Sequence, residues 1–67
     1  MIDIEVNGEA RSVAAPTTLL ELVEQLELAG QSVALAVNRS VVPRQAWGQQ
    51  VLLAHDKVEI VRAIGGG

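Results

Sequence analysis

The 67-residue chain contains no cysteine, no phenylalanine, no tyrosine and a single tryptophan, Trp47. Without cysteine there is no disulfide, no thiolate metal site and no thiol nucleophile. Small secreted domains usually need such staples, so a cytoplasmic protein with a compact fold is expected. Five basic residues (Arg11, Arg39, Arg44, Lys57, Arg62) are scattered along the chain, and the net charge is −3. A nucleic-acid binder would show a basic stripe interleaved with stacking aromatics; neither is present. No apolar run approaches the 18 or so residues of a membrane span. Met1-Ile2-Asp3-Ile4-Glu5 lacks the basic and apolar regions of a signal peptide.

Catalytic constellations are missing as well. His55 is the only histidine and falls in a turn beside Asp56; a general base needs a nucleophile within reach. Ser12, Ser32 and Ser40 have no nucleophile-elbow glycines around them. Glu21, Glu24 and Glu27 form a helix face, which is a solvated face by default, and no set of metal ligands accompanies them. There is no phosphate-cradling glycine motif. A chain of this length buries only about 60% of its extended-state surface, enough for one thin core but not for a deep substrate pocket.

What the chain does have is aliphatic patterning: hydrophobic residues make up 49% of it. Ile2, Ile4 and Val6 alternate with Asp3 and Glu5, the pattern of a half-buried strand. Asn7-Gly8 is a hairpin turn signal, because a type I′ turn needs positive φ at both central residues. The return strand, Glu9 to Val13, is out of phase. A two-residue loop puts Glu9 and Arg11 on the face of the isoleucines, so either they lie at an uncovered rim or a bulge shifts the register. Thr18-Leu19-Leu20-Glu21 is a capping box, and Leu19, Leu22, Val23 and Leu26 form one helical stripe. A helix over roughly 19–28 is expected, with Gly30 as its left-handed stop. Val33 to Asn38 is a strand with Val33, Leu35 and Val37 on one face and Ala34 and Ala36 on the other. Val41-Val42 is a short strand ended by Pro43. Arg44 to Trp47 suits a single helical turn, with Trp47 packed under the loop in preference to a rim contact. Lys57 to Ala63 is a last strand with Val58 and Ile60 inward. The expected class is α+β, as one domain over 1–64.

Three of the six glycines are the last three residues, Gly65, Gly66 and Gly67. At a background of about 7% glycine, such a run has a chance on the order of 10⁻⁴ at a chosen place. Glycine lacks a Cβ, so an extended tail of it can thread a channel barely wider than a backbone; it also loses most entropy on ordering, so mobility until bound is expected over 65–67. An α-carboxylate at its end is a poor electrophile until activated, for example as a mixed anhydride with AMP. The alternative reading is an incidental frayed end or linker.

A strand-strand-helix-strand-strand body ending in glycines resembles the ubiquitin-like β-grasp sulfur carriers, and among them the ThiS family. The resemblance is carried by Val6-Asn7-Gly8-Glu9, Thr18 to Val23, Ala36-Val37-Asn38, Val42-Pro43-Arg44 with Trp47, and Val58 to Val61 leading to Ala63-Ile64-Gly65-Gly66-Gly67. His55-Asp56 stands where the family often has Gly-Asp. The resemblance implies a mixed sheet of four to five strands on one main helix, and a carrier that is not itself an enzyme. It implies that Gly67 is the reactive terminus, with Gly65 and Gly66 giving access. A ThiF-like adenylating enzyme would activate that carboxylate with ATP and Mg²⁺, and a cysteine desulfurase would indirectly supply sulfur. A ThiG-like thiazole synthase would take the sulfur from the resulting thiocarboxylate for thiamine biosynthesis. The chain itself binds no cofactor, metal, nucleic acid or membrane in this reading. A docking patch on the outer sheet face, made of Ala34, Ala36, Val61 and Ala63 with Arg62 beside the tail, is the candidate recognition surface. Two alternatives stand beside it: a MoaD-like carrier subunit for molybdopterin synthesis, and a β-grasp binding module with an incidental glycine tail.

Overall fold

The computed structural model describes residues 1–28 and 30–62. The order is β1 (Ile2–Val6), β2 (Glu9–Val13), α1 (Leu19–Gln25), β3 (Val33–Val37), β4 (Ser40–Val42), a 3₁₀ helix (Arg44–Gln49) and β5 (Lys57–Arg62). The strands form one mixed sheet in the order β2-β1-β5-β3-β4. β5 enters between the two hairpins, parallel to β1 and antiparallel to β3. The last strand is therefore the central one, paired on both sides.

The first hairpin pairs Val6 with Glu9, Ile4 with Arg11 and Ile2 with Val13, with no bulge. This is the register of the two-residue turn, in which Asn7 (φ 51°) and Gly8 (φ 85°) both take the left-handed backbone a type I′ turn requires. Glu9 and Arg11 share the side of Ile4 yet remain exposed, while Val13 is buried. β2 is the sheet edge, and the helix does not reach over its first four residues.

α1 starts as its sequence dictates. Thr18 Oγ1 accepts from the Glu21 amide (3.2 Å), and the Thr18 amide donates to Glu21 Oε1 (2.8 Å). Seven residues are too few for an independent helix. Leu19, Leu22 and Val23, all fully buried, hold it on the sheet, each contributing on the order of 2 kcal/mol by burial.

Its end differs from expectation. The left-handed stop is Glu27 (φ 61°), not Gly30, and the helix closes at Gln25. The Glu27 amide donates to the Glu24 carbonyl and the Leu28 amide to the Val23 carbonyl, both at 3.0 Å. These are the two bonds of a Schellman closure, and Leu28 packs against the core beside it.

The inner face of the sheet supplies Ile4, Val13, Leu35, Val37, Val42 and Val58 to the core, closed from below by Trp47 and Leu52. Trp47 is buried, and its Nε1–H donates to the Val42 carbonyl (2.9 Å). Arg44 stacks over its ring at 4.7 Å and donates to the Gln31 carbonyl (3.1 Å). The Val42-Pro43-Arg44…Trp47 stretch is thus a lock, tying the end of β4 to the loop after the helix. Val51 makes only an isolated bridge with Thr18.

Candidate functional site

Ala63, Gly65, Gly66 and Gly67 lie outside the described residues. The structure does describe the strand that leads to them, and the surface beside it. On β5 the side chains alternate: Val58 is buried and Ile60 half-buried on the helix side, while Lys57, Glu59 and Val61 point away. On β3, Leu35 and Val37 go inward, and Ala34 and Ala36 outward. Ala34 stands opposite Val61, and Ala36 is flanked by Glu59 on one side and Val41 on the other.

The outcome is a shallow apolar hollow on the uncovered face, lined by Ala34, Ala36, Val41 and Val61 and bounded by Glu59. Val61 is 63% exposed and Val41 76% exposed. The two alanines make the floor low, and the two valines form its walls. Three of the residues singled out from sequence, Ala34, Ala36 and Val61, therefore meet in one place. Arg62 does not join them: it pairs with Val33 in the next register position and lies on the helix side of the sheet.

Val41 was not expected in this group. Its place follows from the second hairpin, where Asn38 (φ 51°) and Arg39 (φ 70°) make another two-residue turn. That turn fixes Val37 opposite Ser40, and hence Ala36 opposite Val41. The turn length was the available signal.

Both hairpin asparagines also reach β5. The Lys57 amide donates to Asn38 Oδ1 and Asn38 Nδ2 to Asp56 Oδ1, each at 3.0 Å. Asp56 is buried, and its second oxygen accepts from the Leu53 amide (2.8 Å). Asp56 is therefore a structural anchor before the last strand. At the other hairpin, the Ile60 amide donates to Asn7 Oδ1 (2.8 Å). His55 sits in the turn before β5 with a left-handed backbone (φ 71°), exposed. Among the described residues no three His, Asp or Glu side chains are grouped so as to hold a metal ion, and no helix is long and apolar enough to cross a membrane.

Comparison with known proteins gives a consistent result. Residues 4–67 match the ThiS family. The sulfur carrier protein ThiS of Escherichia coli K12 is 36% identical over 66 residues, covering 98% of this chain and 100% of that protein. A thiazole synthase from Magnetococcus marinus is 42% identical over 64 residues; the match takes in 96% of this chain but 20% of that longer protein. The crystal structure of the thiamine biosynthesis protein ThiS from Geobacter metallireducens superposes with a TM-score of 0.85 at 29% identity, covering 98% of this chain and 100% of that one.

Proposed function

The chain belongs to the ThiS family, and on that footing we propose that it is a sulfur carrier for thiazole formation in thiamine biosynthesis, a substrate of its partner enzymes and not a catalyst. The observation that carries this reading is the extent of the family match, which runs from the first strand through the terminal glycines.

The chemistry is borne by the Gly67 carboxylate. A carboxylate oxygen attacks the α-phosphorus of ATP on a ThiF-like adenylating enzyme, pyrophosphate leaves, and the enzyme's Mg²⁺ offsets the phosphate charge. The terminal sulfur of a persulfide, drawn from cysteine through a desulfurase, then attacks the acyl carbon and expels AMP, and a thiol reductant cleaves the resulting acyl disulfide, leaving a thiocarboxylate and a disulfide. A ThiG-like thiazole synthase accepts that sulfur. Gly65 and Gly66 let the terminus enter a narrow partner channel, since neither presents a Cβ. The occurrence of a carrier-like segment within a named thiazole synthase supports that acceptor, in preference to a molybdopterin synthase.

Docking is assigned to the hollow of Ala34, Ala36, Val41 and Val61. A contiguous exposed apolar patch of this kind marks an interaction site. Arg62 acts separately, from the other side of the strand, as a contact for an acidic group of the partner.

Intact-mass measurement after incubation with ATP, a ThiF-type enzyme and a sulfur donor tests the proposal. The expected result is replacement of one oxygen by one sulfur. A chain with one residue added after Gly67 should remain unmodified, because its own carboxylate is displaced from the reacting position. Equal modification of the extended chain, or none of the original, overturns the carrier reading.

A further inference from the structure

We infer that Glu59 is a specificity-determining residue for docking: it pairs with an arginine of the adenylating enzyme, seated beside the apolar group that fills the hollow. The inference rests on the carrier reading above. Glu59 lies at a boundary. It borders the hollow of Ala34, Ala36, Val41 and Val61 and is the one charged residue to do so among the described residues. It also lines a second, polar groove on the same face, together with Glu5, Gly8, Asn38, Arg39 and Lys57. A partner seated in the hollow therefore meets this carboxylate first when it reaches toward the groove.

The strand register leaves that carboxylate open to a partner. Lys57 is the cation on the same face of β5, and it stands directly beside Glu5 of β1, where neighbouring opposite charges attract. Glu59 comes two residues later. Its neighbour on β3 is Ala36. Carrying the parallel register of β1 and β5 two places further sets Asn7 on its other side, and the Asn7 side chain is engaged with the Ile60 backbone. Neither neighbour carries a charge. Strand formation does not call for glutamate here either, since β-branched residues suit a strand better and Ala36, Val41 and Val61 around it are apolar. What glutamate adds is a directional contact at the edge of the hollow. An ion pair made there gains strength because the apolar group beside it displaces water.

The chemistry of activation sets the sign of the partner group. Adenylation brings a carboxylate to a triphosphate, and the chain carries a net charge of −3. An enzyme surface that receives it must offset that repulsion with positive charge. Glu59 is the last side-chain carboxylate in the sequence before Gly67, so it is the acidic group of the last strand that such a surface can grip. Arginine suits the place better than lysine. Its planar guanidinium can lie flat over the low floor at Ala36 while its fork meets the carboxylate through two hydrogen bonds.

ATP–pyrophosphate exchange with the adenylating enzyme, followed against carrier concentration, tests this. Glu59→Gln keeps the size and polarity of the side chain and removes its charge. KM for the carrier should rise about tenfold, with kcat within about twofold and the urea midpoint unchanged. Glu59→Asp should recover most of the loss, and Glu59→Lys, which sets like charges together, should raise KM about a hundredfold. Glu24→Gln, on the exposed helix face, makes the same change in net charge and should leave KM unaltered. An unchanged or lowered KM in Glu59→Gln overturns the inference, because the carboxylate then only keeps the apolar face soluble. An equal rise in Glu24→Gln overturns it as well, because net charge alone then accounts for the effect. Failure of the unaltered chain to support exchange overturns the carrier reading instead.

Discussion

On β3 and β5, Leu35, Val37 and Val58 point toward the helix and are buried, whereas Ala34, Ala36 and Val61, their neighbours in the chain, point away and stay accessible. The same strands thus carry two surfaces of opposite purpose. The inner one uses large aliphatic side chains and has a partner within the molecule. The outer one uses small residues walled by Val41 and Val61, and none of the described residues covers it. Its apolar character contributes little to stability, since exposed side chains gain no transfer energy. The difference separates residues that make the fold from residues available to another protein.

The strongest way to break this comparison is on the inner face. Leu35 is 1% exposed, and Leu35→Ala should cost about 2–5 kcal/mol, read as a lowered urea midpoint; for a domain this small that approaches the whole stability. Val61→Asp on the outer face should do the reverse. Its unfolding midpoint should move by no more than about 1 kcal/mol, while KM for the adenylating enzyme rises roughly thirtyfold, about 2 kcal/mol. Equal losses of stability in the two variants would erase the distinction between faces.

Two smaller tests sharpen it. Glu27→Gly should stabilise the domain by about 1 kcal/mol, because a non-glycine residue at positive φ is strained and a carboxylate at a helix C-terminus opposes the dipole. Thermal denaturation would report it, and an unchanged midpoint would mean the Schellman turn carries no strain. Arg11 has the inward phase of Ile4 but no cover. Arg11→Ala should therefore change stability by less than about 0.5 kcal/mol, showing that phase without burial confers nothing.

Much of this was legible in the residues. The Asn7-Gly8 turn, the Thr18–Glu21 capping box, the helical stripe and the alternation of β3 all act over a few residues, so local chemistry decides them. The outward placing of Ala34, Ala36 and Val61 followed from that alternation, and Val41 could have been added by applying the two-residue turn at Asn38-Arg39. The helix stop differs from the local signal. Gly30 is the better left-handed residue, but the Schellman bonds form at Glu27 and Leu28, where the half-buried Leu28 packs on the core. Arg62 is next to Val61 in the chain but faces the other side of the sheet, since adjacent strand residues alternate.

The sequence by itself determined the elements, their buried stripes and the glycine run that ends the chain. Tertiary structure alone decided that β5 lies between the hairpins, that Asp56 is buried, and that Asn7 holds Ile60 across 53 residues of chain. The reason is physical. Turn and helix signals are written in side chains that bond to their own neighbours, whereas backbone amides and carbonyls are alike at every position. Which distant amide an asparagine meets is settled only when the whole sheet has packed against its helix.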